Sequence, residues 1–349
     1  MSHDAIDMQM LDLFEKEFQL CKVKPGEVLV VLSATGEWPE YVKTFILAAQ
    51  RMGATAFHLS VPRAQAQAAA VQGRHPLTGN QAAIDTLKRA DMVVDLMGLL
   101  FSAEQREIQA AGTRILRVME PLHVLQQMFP TEDLRRRVDY ARNLLASARV
   151  LHITSAAGTD VRYDLSQYEA ISEYGYTDEA GRWDHFPSGF VFTQGNDGGV
   201  NGTVMLMPGD IIAAFKRYVE TPVEFRIENG YIVEISGSGT DAAMIREYIE
   251  SFRDPRAYAV AHIGWGLNER AHWHHMAATR HLDQEHVMHA LSFYGNVLFS
   301  TGPNSEFGGD NDTPCHMDLP MRQCSVWVDE VQVMEAGVIV HPEMRAAGR

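Results

Sequence analysis

Over roughly the first 150 residues, short apolar runs alternate with stretches whose apolar positions recur every three to four residues. The runs Val28–Leu32, Ala54–Leu59, Met92–Met97 and Ile115–Met119 are short and rich in β-branched residues, and read as buried strands. Helical patterns lie between them. Pro39–Met52 stops at Gly53, Gln81–Ala90 follows the Gly79-Asn80 break, and Ala103–Ala111 stops at Gly112. Strand, helix, strand order of this kind predicts a parallel sheet. Thr131-Glu132-Asp133 then opens a helix to about Ser147, which suits a connector.

From Val150 onward the texture changes to short strands separated by Gly and Asn turns. Phe225–Ile227 and Tyr231–Ile235 flank Asn229-Gly230 and predict a hairpin. Helical patterns recur at Ala242–Ser251 and Glu285–Phe293, and Cys324–Val340 reads as a run of strands. The expected fold is therefore an α/β N-terminal domain with a parallel sheet (1–149) plus an α+β C-terminal catalytic domain (150–349). The first strand is followed by Ser33-Ala34-Thr35-Gly36 rather than G-x-G-x-x-G, so no dinucleotide is assigned to it. Gly237-Ser238-Gly239-Thr240-Asp241 follows a hairpin strand and reads as a tight turn.

Composition narrows the partners. The 349 residues are 46% hydrophobic, enough for a large core and for two domains. A net charge of -15 with only 30 Lys and Arg argues against nucleic acid and anionic membranes, which need a concentrated basic face. A small molecule is the expected ligand. No apolar run approaches the ~18 residues that span a bilayer, and Met1–Leu13 is acidic and amphipathic rather than signal-like, so a cytoplasmic location is expected. Cys21, Cys315 and Cys324 lack C-x-x-C spacing and read as reduced thiols. Fifteen histidines, by contrast, point to metal or acid–base chemistry.

The sharpest motif is His316-Met317-Asp318, flanked by Pro314 and Pro320 and preceded by the glycine-rich loop Gly302–Gly309. In an extended segment, residues two apart face one side and can share one metal. With a second imidazole they would form the two-His, one-carboxylate face of non-haem Fe(II) oxygenases. A second H-x-D, His281-Leu282-Asp283, precedes a helical pattern, where Asp283 is better read as a helix cap. The third ligand is open between His262, beside Gly264-Trp265-Gly266, the cluster His272, His274 and His275, and the group His281, Glu285, His286 and His289. Spacing in His281-x-x-x-Glu285-His286 is one residue too long for the inverted zinc-peptidase signature, which turns one ligand about 100° off the shared helix face. Cys315 should face away from its neighbour His316, as adjacent strand residues do. A further loop-like stretch, Glu173–Tyr176 through Arg182–Gly189, concentrates aromatic and titratable groups suited to a pocket wall. There His185, near Trp183 and Phe186, is a candidate acid–base residue, and Glu173 a candidate hydrogen-bond acceptor.

These segments together resemble the 2,5-dihydroxypyridine 5,6-dioxygenase family. The resemblance runs nearly end to end, through Leu77–Asn80, Ala90–Asp95, Gly112–Leu116, Gly181–Gly189, His262–Leu267, Tyr294–Asn296, Phe299–Asn304 and Thr313–Asp318. The family is distantly similar to M29 thermophilic aminopeptidases but uses one Fe(II) per chain. The resemblance implies iron ligands His262, His316 and Asp318, substrate-binding positions Phe101, Trp183 and Thr301, and opening of the ring between C5 and C6 with O₂ to give N-formylmaleamate. It also implies a homo-oligomer. The chain departs from the family pattern at Phe101, where a histidine base is expected, and near Leu291, where a basic residue is expected. His185 can take the role of that base. The rival readings are an M29-like metalloaminopeptidase, which needs carboxylates for a second metal with Glu306 the obvious extra one, and a binding protein without turnover.

Overall fold

The computed structural model describes residues 7–62, 77–100, 102–278 and 287–348. Phe101 and the histidine-rich group His281, Asp283, Glu285 and His286 lie outside the described residues. The fold is mixed α/β and separates into two compact units, one of residues 1–130 with 175–187, the other of residues 131–174 with 188–349.

In the first unit, strands β1 (Val28–Ala34), β2 (Thr55–Val61), β3 (Met92–Asp95) and β4 (Arg114–Arg117) form a parallel sheet, with helices α1 (Met8–Leu20), α2 (Pro39–Arg51), α3 (Gln81–Leu87), α4 (Ala103–Ala110) and α5 (Leu122–Gln127) in the same unit. The strands stand where the apolar runs put them, but β2 is an edge strand with one neighbour and is largely exposed rather than buried, Phe57 included. Short polar side chains close the first turns of α1, α3 and α4: Asp7 accepts from Gln9 N at 2.8 Å, Asn80 from Ala83 N at 3.2 Å and Ser102 from Gln105 N at 3.1 Å. The apolar faces of α1 and α2 meet through Phe14 and Phe45, whose rings stack with centroids 3.6 Å apart. The fifth strand arrives from much later in the chain. Trp183–His185 (β8) pairs in parallel with β4, giving the order β2-β1-β3-β4-β8.

The second unit opens with α6 (Glu132–Ser147), the helix expected to follow Thr131, whose hydroxyl accepts from Leu134 N at 3.1 Å. Three antiparallel sheets follow, one of them only the short pair β11 (Ile211–Ile212) and β12 (Arg217–Tyr218). Of the other two, the larger runs β14-β13-β10-β6-β5-β18-β19-β20, made of β5 (Val150–Ser155), β6 (Asp160–Asp164), β10 (Val200–Leu206), β13 (Val223–Glu228), β14 (Tyr231–Ser236), β18 (Cys324–Val328), β19 (Val331–Glu335) and β20 (Val338–Ile339). The Asn229-Gly230 turn joins β13 to β14 as a hairpin, with Asn229 and Gly230 both at positive φ. The smaller sheet is β17-β16-β15-β9-β7, made of β7 (Ile171–Glu173), β9 (Phe190–Thr193), β15 (Val260–Gly266), β16 (Val297–Thr301) and β17 (Met317–Met321). Phe225 of the larger sheet meets Phe299 of the smaller with centroids 6.0 Å apart, so the core lies between them. Among the described residues no helix is long and apolar enough to cross a membrane.

At the C-terminal ends of the parallel strands, Leu32, Asp95, Arg117 and His185 stand in register on four neighbouring strands. Asp95 is fully buried and accepts from Met97 N at 2.9 Å. Burial pushes its carboxyl up to about 6 against the pull of those backbone amides and of Arg117. A folded pKa above the ordinary 3.8 means that Asp95 favours folding below pH ~4 and that this contribution is lost as pH rises through about 6. Asp210 in the second unit, also pushed up to about 6 by burial, has the same sign. Denaturant titrations between pH 4 and 7 should therefore show stability falling with pH by on the order of 1–3 kcal/mol per such group. Asp95→Asn should reduce that fall, and an unchanged slope would remove Asp95 from the account.

Candidate metal centre

Three adjacent strands of the smaller sheet build the site. Asp318 on β17 pairs directly with Ser300 on β16, and His316 stands one residue before β17 begins. The period of two thus brings His316 and Asp318 to one side, with His316 Nε2 3.3 Å from Asp318 Oδ1. His262 comes from β15. Between the pairs Val260↔Thr301 and Ile263↔Phe299, the two residues Ala261 and His262 face the single residue Ser300. Such a bulge bends the strand and re-aims a side chain. Ser300 Oγ fixes it by donating to the His262 carbonyl at 2.6 Å, and His262 Nε2 comes 3.2 Å from Asp318 Oδ1.

Glycine is required where the backbones close in. A Cβ on Gly302, which sits at φ +115°, would lie 2.0 Å from the Cys315 carbonyl, and one on Gly264 would lie 1.9 Å from the Val191 carbonyl. Phe192, paired with Gly264, turns its ring edge to His262 with centroids 5.3 Å apart and walls the site with Phe190, Leu298 and Phe307.

His262, His316 and Asp318 each offer a ligand atom within 4.8 Å of the others, and among the described residues no other group of three or more His, Cys, Asp or Glu does so. Ligand atoms 2.0–2.2 Å from one cation lie about 3 Å apart when adjacent, close to the separations seen here. Asp318 Oδ1 is buried with the two imidazole Nε2 atoms 3.2 and 3.3 Å away, close enough for an ion pair but without hydrogen-bond geometry to either ring. The donor set therefore fits a metal ion. His316 Nδ1 lies 3.1 Å from the Thr301 carbonyl, which can only accept, so the proton is on Nδ1 and the Nε2 lone pair is left for a ligand bond. Burial works against charge at His316, but Asp318, Glu306 and the Thr301 carbonyl together hold its pKa above the ordinary value. Burial likewise opposes ionisation of Asp318, and the two imidazoles outweigh it, holding the carboxyl well below the usual range.

The remaining expected residues take different places. Thr301, fully buried, ends β16; its carbonyl orients His316 and its Oγ1 has no hydrogen-bond partner. Glu173 is buried at the end of β7 and accepts from Ser188 Oγ at 3.2 Å. In the first unit, Trp183 donates its indole N–H to the Leu99 carbonyl at 2.9 Å. His185 is buried beside it with Nε2 unbonded, and burial together with the Arg117 charge keeps its pKa well below the ordinary value, so the ring is neutral. Cys315 is buried, and burial with the nearby Asp254 carboxylate pushes its thiol up to about 12, as suits an inert residue. His272, His274, His275 and His289 form a stack, with the rings of His275 and His289 3.9 Å apart.

Sequence spacing alone did not single out Glu306. It sits in a single turn, Ser305–Phe307, inside the loop between β16 and β17, with both carboxyl oxygens buried and unbonded. Burial pushes its pKa up, while His262 and His316 pull it down and Asp318 pushes it up further. The loop is pinned by Asn311, whose amide donates to the Gly302 carbonyl at 2.8 Å and whose backbone N–H donates to Asn304 Oδ1 at 2.9 Å.

The sequence profile of the NicX family, 2,5-dihydroxypyridine 5,6-dioxygenase, matches residues 9–341. A 2,5-dihydroxypyridine 5,6-dioxygenase of Pseudomonas putida is 45% identical over 341 residues, which cover 96% of this chain and 97% of the relative. The solved structure of a 2,5-dihydroxypyridine dioxygenase from Pseudomonas putida KT2440 superimposes with a TM-score of 0.94 at 44% identity, covering 97% of this chain and 99% of that one.

Replacing His316 or Asp318 by Ala should lower bound divalent metal from about one ion per chain to a tenth of that or less, with circular dichroism unchanged. Full metal content in both variants would overturn the assignment.

Proposed function

Because the chain belongs to the NicX family of 2,5-dihydroxypyridine 5,6-dioxygenases, we propose that it opens 2,5-dihydroxypyridine, or a close hydroxylated pyridine, between C5 and C6, adding both atoms of O₂ to give N-formylmaleamate. The resident metal is Fe(II), one per chain. The observation that carries this reading is the convergence of His262, His316 and Asp318 around an Asp318 oxygen with no other partner, in a chain similar to the relative over almost its whole length.

Held by these three residues, Fe(II) supplies the one-electron chemistry that lets O₂ react with an electron-rich ring. The chain's own side chains do the rest. Thr301 fixes the imidazole of His316 through its carbonyl, and its free hydroxyl faces no protein partner, which suits a contact to substrate. The walls of Phe190, Phe192 and Phe307 exclude water and suit a flat ring. A dihydroxypyridine becomes more electron-rich on losing a hydroxyl proton; His185, the expected acceptor, has Nε2 unengaged, while burial and Arg117 work against its protonated form. Glu173, in the same unit as the three ligands, serves as a hydrogen-bonding contact to the ring.

A metallopeptidase of the M29 kind would need a second set of metal-binding carboxylates. Among the described residues none joins the three ligands, and the 45% identical relative favours oxygenation.

Protein reconstituted anaerobically with Fe(II) and given 2,5-dihydroxypyridine in air should bleach the ring absorbance with equimolar O₂ uptake and release N-formylmaleamate. His316→Ala and Asp318→Ala should cut turnover by about 10³-fold or more. His185→Asn should lower kcat by on the order of 10²-fold and flatten the acid limb of its pH profile while retaining iron. Full activity in the ligand variants, or peptide hydrolysis on loading with Zn or Co, would overturn the reading.

A further inference from the structure

Glu306 is a carboxylic acid that the protein itself leaves without a partner. Both oxygens are buried, and neither meets a described donor. It belongs to no group of metal-ligating atoms within 4.8 Å of one another, so it is not a fourth ligand of the ion held by His262, His316 and Asp318. Yet it shares their enclosure. The adjacent Phe307 packs edge-to-face on Phe192 with centroids 5.8 Å apart, and Phe192 packs on His262. The strand that begins its loop ends at Thr301, whose carbonyl holds His316, and the next residue, Gly302, packs against the backbone of Cys315 and His316. The loop is built to hold this position. Asn304 and Asn311 bond to each other at both ends of the turn, and Asn311 bonds onward to Gly302 and to Thr313 N.

A carboxyl group held by a pinned loop, removed from water and aimed at no protein donor, is suited to a donor carried by a ligand. Resting on the function proposed above, the ring offers one. In the lactam form of 2,5-dihydroxypyridine the ring nitrogen carries a hydrogen and sits next to C6. The 5-oxygen, on the other carbon of the bond to be opened, is the group suited to the metal. We propose that Glu306 is a specificity-determining residue that accepts a hydrogen bond from the ring N–H of the substrate. It would thereby select an N-heterocycle over the isosteric carbocycle hydroquinone, which presents C–H at the same place. A site built to receive a hydrogen bond discriminates strongly against the analogue that lacks the donor.

The test uses the full chain loaded with Fe(II) under anaerobic conditions, with equilibrium binding of 2,5-dihydroxypyridine and of hydroquinone measured for the wild type, Glu306→Gln and Glu306→Ala. Iron content and the thermal midpoint are measured on the same samples. Both variants should keep wild-type iron. Glu306→Ala, which has no acceptor, should bind 2,5-dihydroxypyridine about 10- to 100-fold more weakly, and Glu306→Gln, which keeps an acceptor oxygen, by less, while both bind hydroquinone within about twofold of wild type. Equal weakening of both ligands, unchanged affinity for both, or loss of iron from folded Glu306→Gln would each overturn the proposal. If wild type binds no dihydroxypyridine at all, it is the proposed function that fails.

Discussion

The candidate metal centre turns on a single electrostatic constraint: one buried oxygen, Asp318 Oδ1, has two imidazole nitrogens 3.2 and 3.3 Å away and no hydrogen-bond geometry to either. Three ring and carboxylate dipoles focused on one point are costly without a cation and favourable with one. Much nearby geometry maintains that focus. The bulge at Ala261 and His262 turns the first imidazole inward, the Thr301 carbonyl fixes the second, and glycines at 264 and 302 let the backbones approach closely enough for three strands to contribute. The site is thus a property of the sheet's register, and a slip of one residue in β17 would send Asp318 to the opposite face.

Part of this was legible in the sequence. His316 and Asp318 could be paired because a strand has a period of two, and flanking prolines and glycines marked the segment as an extended stretch entering a cleft. Spacing left His262 as one candidate among several histidines, since nothing local says which strand will lie beside β17. Resemblance to the family chose it, and the sheet order puts it there. The bulge was invisible because it is a relation between two strands. Glu306 was visible only as an extra acidic residue in a loop. Its burial and lack of partners come from Phe307 and the Asn304–Asn311 bonds folding the loop inward, a tertiary effect that sequence period does not encode.

In the first unit the strands and helix starts were read closely, because apolar runs, capping side chains and glycine stops are local signals. The stretch around His185 was legible as chemistry and not as structure. Its neutrality follows from burial and from Arg117, which stands beside it on the neighbouring strand, an adjacency no local pattern reports. Asp95 behaves similarly. Its sequence context marks a strand end, whereas its reluctance to ionise arises from the three-dimensional enclosure.

The late arrival of β8 has a consequence for how the chain can be divided. Gly175–Pro187 leaves the second unit's sequence to complete the first unit's sheet, so neither unit is a continuous stretch of polypeptide. A fragment ending at Pro130 would keep β1 to β4 but leave one side of β4, Arg114–Arg117, with unpaired amides and carbonyls, the kind of open edge that recruits other chains. The first sheet therefore cannot be completed until the ribosome has passed residue 187, and β8 must close a long loop to find β4. The two units are bound in the order of their making as well as in sequence.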